Sequence, residues 1–138
     1  MRVLLDTHVW LWLANGTAGV LRAPVLETVE HAGRSGGVLV SIVSIWEIAL
    51  LEARQRIVLP LPIRDWVALA LARPEIKLVG LNRPATVLDS VDLPGELHSD
   101  PADRFLIATA RAQRATLITR DERIIAYANG GHVKVIAA

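Results

Sequence analysis

The chain of 138 residues contains no cysteine. That excludes thiol catalysis, disulfide frameworks and cysteine-bound zinc, and it fits a reducing compartment. Lysine is nearly absent too: Lys77 and Lys134 stand alone, and arginine carries the basic side of the composition. The net charge of +1 excludes a polycationic nucleic-acid binder, while arginine retains the fork geometry suited to phosphate. No run of ~18 uncharged apolar residues occurs, so no membrane span is expected. The opening "MRVLLDTHVW" meets Asp6 before any apolar core of useful length, which argues against a signal peptide and for a cytoplasmic protein. Repeats, linkers and low-complexity tracts are missing as well. What is plentiful is apolar residues, 52% of the chain. Some of that surplus is expected at a protein interface. The length suits one domain over residues 1–138, able to bury roughly 68% of its unfolded surface.

Strand and helix signals alternate. "RVLLD" reads as a buried strand at 2–6, "VLVS" as one at 38–41, "IKLVGL" as one at 76–81, "TLIT" as one at 116–119 and "VKVIA" as one at 133–137. Between them lie helical stretches: "HVWLWLA" stopped at Asn15-Gly16, 24–32, "SIVSIWEIALLEARQR", "IRDWVALALA" ended before Pro74, "PATVLDSV", "PADRFLIATARAQR" and "DERIIAYAN". In the third of these, Ile42, Ile45, Trp46, Ala49, Leu50 and Ala53 recur at helical spacing and predict its apolar face. The alternation predicts an α/β sandwich with a mostly parallel central sheet.

In such a fold the carboxyl ends of the strands collect ligands, and that edge receives an unusual number of acids. Asp6 closes the first strand, and Asp121 follows the fourth. In "HSDPADR", Asp100 and Asp103 begin a helix whose N-terminus lies at the same edge. Glu47 falls in the second turn of the helix after the second strand. Asp6, Glu47, Asp103 and Asp121, converging from four elements, would repel one another and resist ionisation when buried. A divalent cation removes that penalty, and an all-oxygen, cysteine-free set favours Mg²⁺ or Mn²⁺.

Each acid also has a plain structural reading. Asp100 is a good N-cap before Pro101, and Asp103 then holds the position of a capping-box acid, although that box prefers Glu or Gln. Asp121 can cap the helix after it, and Glu47 can be a solvated helix residue. Asp6, directly closing an apolar strand, is the hardest to read as structural alone. Around them, Ser44 shares a helix face with Glu47, and Thr119 can hydrogen-bond an acid or pack in its strand. Arg104 can hold a phosphate or pair with an acid. His8 and His98 lie near the acids but lack a second histidine at ligand spacing, which favours structural roles. His31 and His132 sit beside glycines and read as surface residues.

"LLDTHVWLW", "SIVSIWEIA", "DPADRFLIATA" and "LITRDERI", in that order and over essentially the whole chain, resemble the PIN-domain ribonucleases, and among them the VapC-type toxins of toxin–antitoxin pairs. The resemblance implies a three-layer α/β/α sandwich and an endoribonuclease that uses Mg²⁺ or Mn²⁺. It places the four family acids on Asp6, Glu47, Asp103 and Asp121, with Asp6, Asp103 and Glu47 nearest the ion and Asp121 the most variable. It also implies an RNA substrate such as tRNA or rRNA, a cognate antitoxin and a homodimer. The tryptophans Trp10, Trp12, Trp46 and Trp66 fit such interfaces or ordinary core packing. The rival reading is a catalytically silent PIN-like module that binds RNA or antitoxin. A haloacid-dehalogenase-type phosphatase fits poorly, because His8 stands where its second acid belongs. A receiver domain lacks its lysine after a late strand.

Overall fold

The computed structural model describes residues 1–138. Five short strands form one sheet: β1 (Val3–Leu5), β2 (Val38–Ser41), β3 (Ile76–Val79), β4 (Thr116–Thr119) and β5 (Val135–Ala137). Every pairing is parallel, in the order β3-β2-β1-β4-β5. Parallel neighbours need crossovers, and helices supply them: α1 (Thr7–Asn15), α2 (Ala23–Arg34), α3 (Ile42–Ala53), α4 (Ile63–Leu71), α5 (Pro84–Val91), α6 (Pro101–Gln113) and α7 (Glu122–Ala128). No helix is long and apolar enough to cross a membrane.

The central strands are apolar on both faces, so each face carries its own core. Val3, Leu5, Val38, Val40 and Ile118 pack beneath Val9, Trp10, Val25, Trp66 and Ala70 of α1, α2 and α4. Leu4, Leu39 and Leu117 pack on the other side against Leu106, Ile107 and Ala110 of α6 and Ile124 and Tyr127 of α7. The strict alternation of these side chains fixes the strand register, since a one-residue slip would exchange the two cores. The result is the expected α/β/α sandwich. Helix ends follow local chemistry: Gly16, at φ 63°, gives α1 its left-handed stop, and its N–H reaches the carbonyls of Leu13 and Trp12.

The expected apolar face of α3 is not the one that turns inward. Ile42 and Trp46 are 39% and 54% exposed, and the buried residues are Val43, Ser44 and Ile48. This helix is apolar nearly all round, so periodicity alone does not choose a face. Its polar residues Ser44 and Glu47 turn toward α1, where the Thr7 hydroxyl meets them. Trp10 and Trp66 are core residues in edge contact, with ring centroids 5.1 Å apart. His132 is half-buried against the Tyr127 ring rather than free at the surface.

Candidate active site

β1 and β4 pair with Leu5 opposite Ile118, so the next residues on each strand, Asp6 and Thr119, stand side by side. They do so at the carboxyl edge, where strand order reverses between β1 and β4, the place where open parallel sheets form a crevice. The Thr119 hydroxyl donates to Asp6 Oδ2 at 2.5 Å and accepts from the Asp121 N–H at 3.0 Å. One side chain therefore ties the acid ending β1 to the acid beginning α7. Asp6 Oδ1 also accepts from the Thr7 N–H at 2.7 Å, which makes Asp6 the N-cap of α1.

Thr7 continues the network. Its hydroxyl donates to Glu47 Oε1 at 2.5 Å and lies 2.9 Å from Ser44 Oγ. A hydroxyl has one proton to give, so Ser44 donates to Thr7 and Thr7 to Glu47. Ser44 and Thr7 are both buried, and this relay explains why α3 presents its polar side inward.

At α6, Asp100 and Asp103 divide the two readings of "HSDPADR" between them. Asp100 caps the helix, accepting from the Asp103 N–H at 3.1 Å. Asp103 does not complete a capping box. Its Oδ2 meets His98 Nε2 at 2.6 Å instead, with both side chains largely buried. Asp121 does cap α7, accepting from the N–H groups of Arg123 and Ile124. It also faces the same space as the other acids: Asp6, Glu47, Asp100, Asp103 and Asp121 line one cleft of about 280 Å³, together with Thr7, His8, Trp12, Arg120 and Arg123. A larger cavity of about 550 Å³ lies among Leu5, Trp10, Leu13, Val38 and Ile76 and contains none of these acids.

Arg104 does neither of the things expected of it. Its guanidinium holds no phosphate-facing position and pairs with no acid. Nε and Nη2 donate to the carbonyls of His98 and Leu97 at 3.0 and 2.9 Å, and Nη1 to those of Ser90 and Val91 at 3.2 and 3.4 Å. These are the last carbonyls of α5 and the loop before α6, groups with no intrahelical donor. Arg104 thus pins the segment that carries His98, and His98 pins Asp103. His98, placed near the acids by the sequence but read as structural, and Thr7, not singled out there, both hold site carboxylates. Five residues separate His98 from Asp103 across a loop, where no helical or strand period predicts contact. Thr7 adjoins the strand-ending acid, and its place beside Asp6 was the available signal.

Burial dominates the electrostatics. It raises the proton affinities of Asp6 and Asp103 above their ordinary values, against the opposing hydrogen bonds from Thr119 and His98. It pushes Glu47 up to about 7, opposed by the Thr7 hydroxyl and reinforced by the charges of Asp6, Asp103 and Asp100. A cation among these groups would reverse each shift. Every donor facing the cleft from the acids is a carboxylate oxygen, the chemistry of Mg²⁺ and Mn²⁺ sites. No three His, Asp or Glu side chains stand close enough to enclose an ion by themselves. Mg²⁺ does not require such an enclosure, because it takes one or two carboxylates directly and keeps several waters. The residues present therefore fit such an ion.

The model of the PIN domain family matches residues 3–130. This chain belongs to the PIN-domain family. Among PIN-domain relatives, Ribonuclease VapC22 of Mycobacterium tuberculosis (strain ATCC 25618 / H37Rv) is 33% identical over 122 residues, 88% of each chain. The fold is shared with more distant proteins of known structure. A chain of VapBC2 from Rickettsia felis, bound to a DNA fragment from its promoter, superposes with a TM-score of 0.70 at 15% identity, covering 99% of this chain and 98% of that one. A chain of a toxin–antitoxin complex from Klebsiella pneumoniae gives 0.62 at 19% identity, covering 99% and 97%. The expected α/β/α PIN fold is therefore the fold of this chain.

Proposed function

We propose that this PIN-domain protein is a divalent-metal-dependent endoribonuclease of the VapC type, the toxin of a toxin–antitoxin pair. The observation that carries the reading is the convergence of Asp6, Glu47, Asp103 and Asp121 on one cleft, with three of them pushed toward protonation by burial. The relative named ribonuclease VapC22 supports RNA as the substrate. The antitoxin partner rests on that same kinship, and a homodimer remains part of the proposal.

Asp6 and Asp103 would hold Mg²⁺ or Mn²⁺, directly or through water, Glu47 would complete the shell or act on the attacking water, and Asp121 would support the shell or a second ion. When bound, such an ion neutralises charge on the phosphoryl oxygens and makes water acidic enough to attack in line. The protein's own groups do the rest. Thr119 and the Thr7 N–H hold both oxygens of Asp6. His98 holds one oxygen of Asp103 and leaves the other free. Thr7 holds one oxygen of Glu47, and the other oxygen of that carboxylate is where a proton from the attacking water can rest.

This chemistry leaves a 5′-phosphate and a 3′-hydroxyl. End analysis of RNA fragments made by the antitoxin-free protein in Mg²⁺ tests it. Cyclic-phosphate ends would overturn the mechanism, and RNA binding with no cleavage would favour the silent binding module.

A further inference from the structure

The acidic cleft does not end at its acids. Glu47 and Asp100 also line a second depression of about 190 Å³, formed between α3 and the start of α6, whose other walls include Trp46, Leu50, Arg54 and Arg56. Trp46, Leu50 and Arg54 are spaced four residues apart and form one ridge along α3. Trp46 is 54% exposed, an unusual position for the largest apolar side chain. The ion pairs of the chain are His98–Asp103 and Arg123–Asp121, and neither Arg54 nor Arg56 has a carboxylate partner.

We propose that Trp46, Arg54 and Arg56 form a nucleotide subsite that holds single-stranded RNA beside the scissile phosphate, a reading that rests on the nuclease function above. Five carboxylates outnumber the two arginines of the catalytic cleft, Arg120 and Arg123, and repel a polyanion on either side of the phosphate being cut. Substrate binding therefore needs cations away from the centre. Arg54 lies seven residues beyond Glu47, about 10 Å along the helix axis, the reach of about three stacked nucleotides. Two unpaired guanidinium groups there match phosphate, and the exposed indole offers a flat face to a base beside the acids. Stacking of this kind accepts any base, so the subsite contributes affinity rather than sequence choice.

The test uses antitoxin-free full-length protein and a fluorescein-labelled, mixed-sequence single-stranded RNA 10-mer. Binding is followed by anisotropy over a salt series in an Asp103→Asn background, so that the RNA is not consumed. Steady-state cleavage of the same RNA is followed in the wild-type background. Arg54→Ala/Arg56→Ala is expected to flatten the salt slope by about 1.4, for two phosphate contacts on a single strand. Trp46→Ala is expected to weaken binding about 5- to 100-fold, and Trp46→Phe to recover most of it. In cleavage, KM rises and kcat holds. All three side chains are at the surface, and matching thermal melts exclude misfolding. Unchanged affinity, slope and KM in protein that still cuts RNA would overturn the subsite and leave the nuclease standing. A parent protein that neither binds nor cuts RNA would overturn both. Variants that bind RNA normally but no longer copurify with coexpressed cognate antitoxin would assign the surface to that protein and overturn the proposal.

Discussion

His98 Nε2 stands 2.6 Å from Asp103 Oδ2, and the backbone carbonyl of that same His98 accepts from Arg104 Nε. The acid at the third position of α6 is thus held from outside the cleft, by a loop that its own sequence neighbour secures. Orientation of a carboxylate by an outer partner matters because a ligand that must first be ordered binds an ion more weakly.

His98→Ala is expected to weaken Mn²⁺ binding and to lower the cleavage rate, each about 10- to 100-fold, with KM for RNA unchanged. His98→Gln, whose amide can donate to the same oxygen, is expected to recover part of both. Calorimetric titration with Mn²⁺ checks this without relying on activity. Wild-type affinity in His98→Ala would reduce the contact to packing.

Arg104→Ala removes the donor that serves four carbonyls, and a lower stability of about 2 kcal/mol is expected from lost charge-assisted hydrogen bonds. Arg104→Lys is expected to restore little, because one ammonium cannot span the two sides that the guanidinium fork reaches. Urea unfolding measures both. Activity should fall no further than that of His98→Ala, since Arg104 acts only through the loop.

The pH dependence of the ion-free protein has a definite sign. Glu47 is raised from 4.5 to about 7 in the folded state, and Asp6 and Asp103 move the same way. Between those two values the folded protein keeps a proton that the unfolded chain has released. Stability is therefore greatest at the acid end of the window and is lost as pH rises through the folded value. In EDTA, unfolding at pH 5 and pH 8 should differ by about 2 kcal/mol, allowing for the partial exposure of Glu47. Mn²⁺ should restore the loss at pH 8, and Glu47→Gln should flatten the profile. A profile rising toward pH 8 in EDTA would contradict the burial of these acids.

Asp121 is a cap whose second role can be separated by substitution. Asn also caps well, so Asp121→Asn should keep thermal stability while lowering cleavage, and Asp121→Ala should lose about 1 kcal/mol in addition. Asp100→Asn keeps its cap by the same reasoning and should cut RNA within a few-fold of wild type. Equal activity in Asp121→Asn and wild type would leave Asp121 with the cap alone.

The strand-helix alternation was legible because punctuation and period agreed: Asn15-Gly16 stops α1, Pro101 opens α6, and "TLIT" stands between Arg114 and Arg120. The convergence of Asp6, Glu47, Asp103 and Asp121 on one edge followed from topology, since strand ends and the starts of the helices after them share an edge in any parallel sheet. What topology does not specify is side-chain partnership. The inward face of α3 was misplaced because Ile42 and Trp46 are as apolar as Val43 and Ile48, and the choice fell to Thr7, a residue on another element. Arg104 and His98 were ambiguous for a related reason: the course of the loop 92–100 determines what each can reach, and loops carry no period.

The most direct measurement compares RNA cleavage by antitoxin-free wild type and Asp103→Asn, each with Mg²⁺ and with EDTA. Discrete cleavage by wild type in Mg²⁺, abolished both by EDTA and by Asp103→Asn, is the predicted result. Equal cleavage by the two proteins, or cleavage that persists in EDTA, would contradict a cation held by the converging acids.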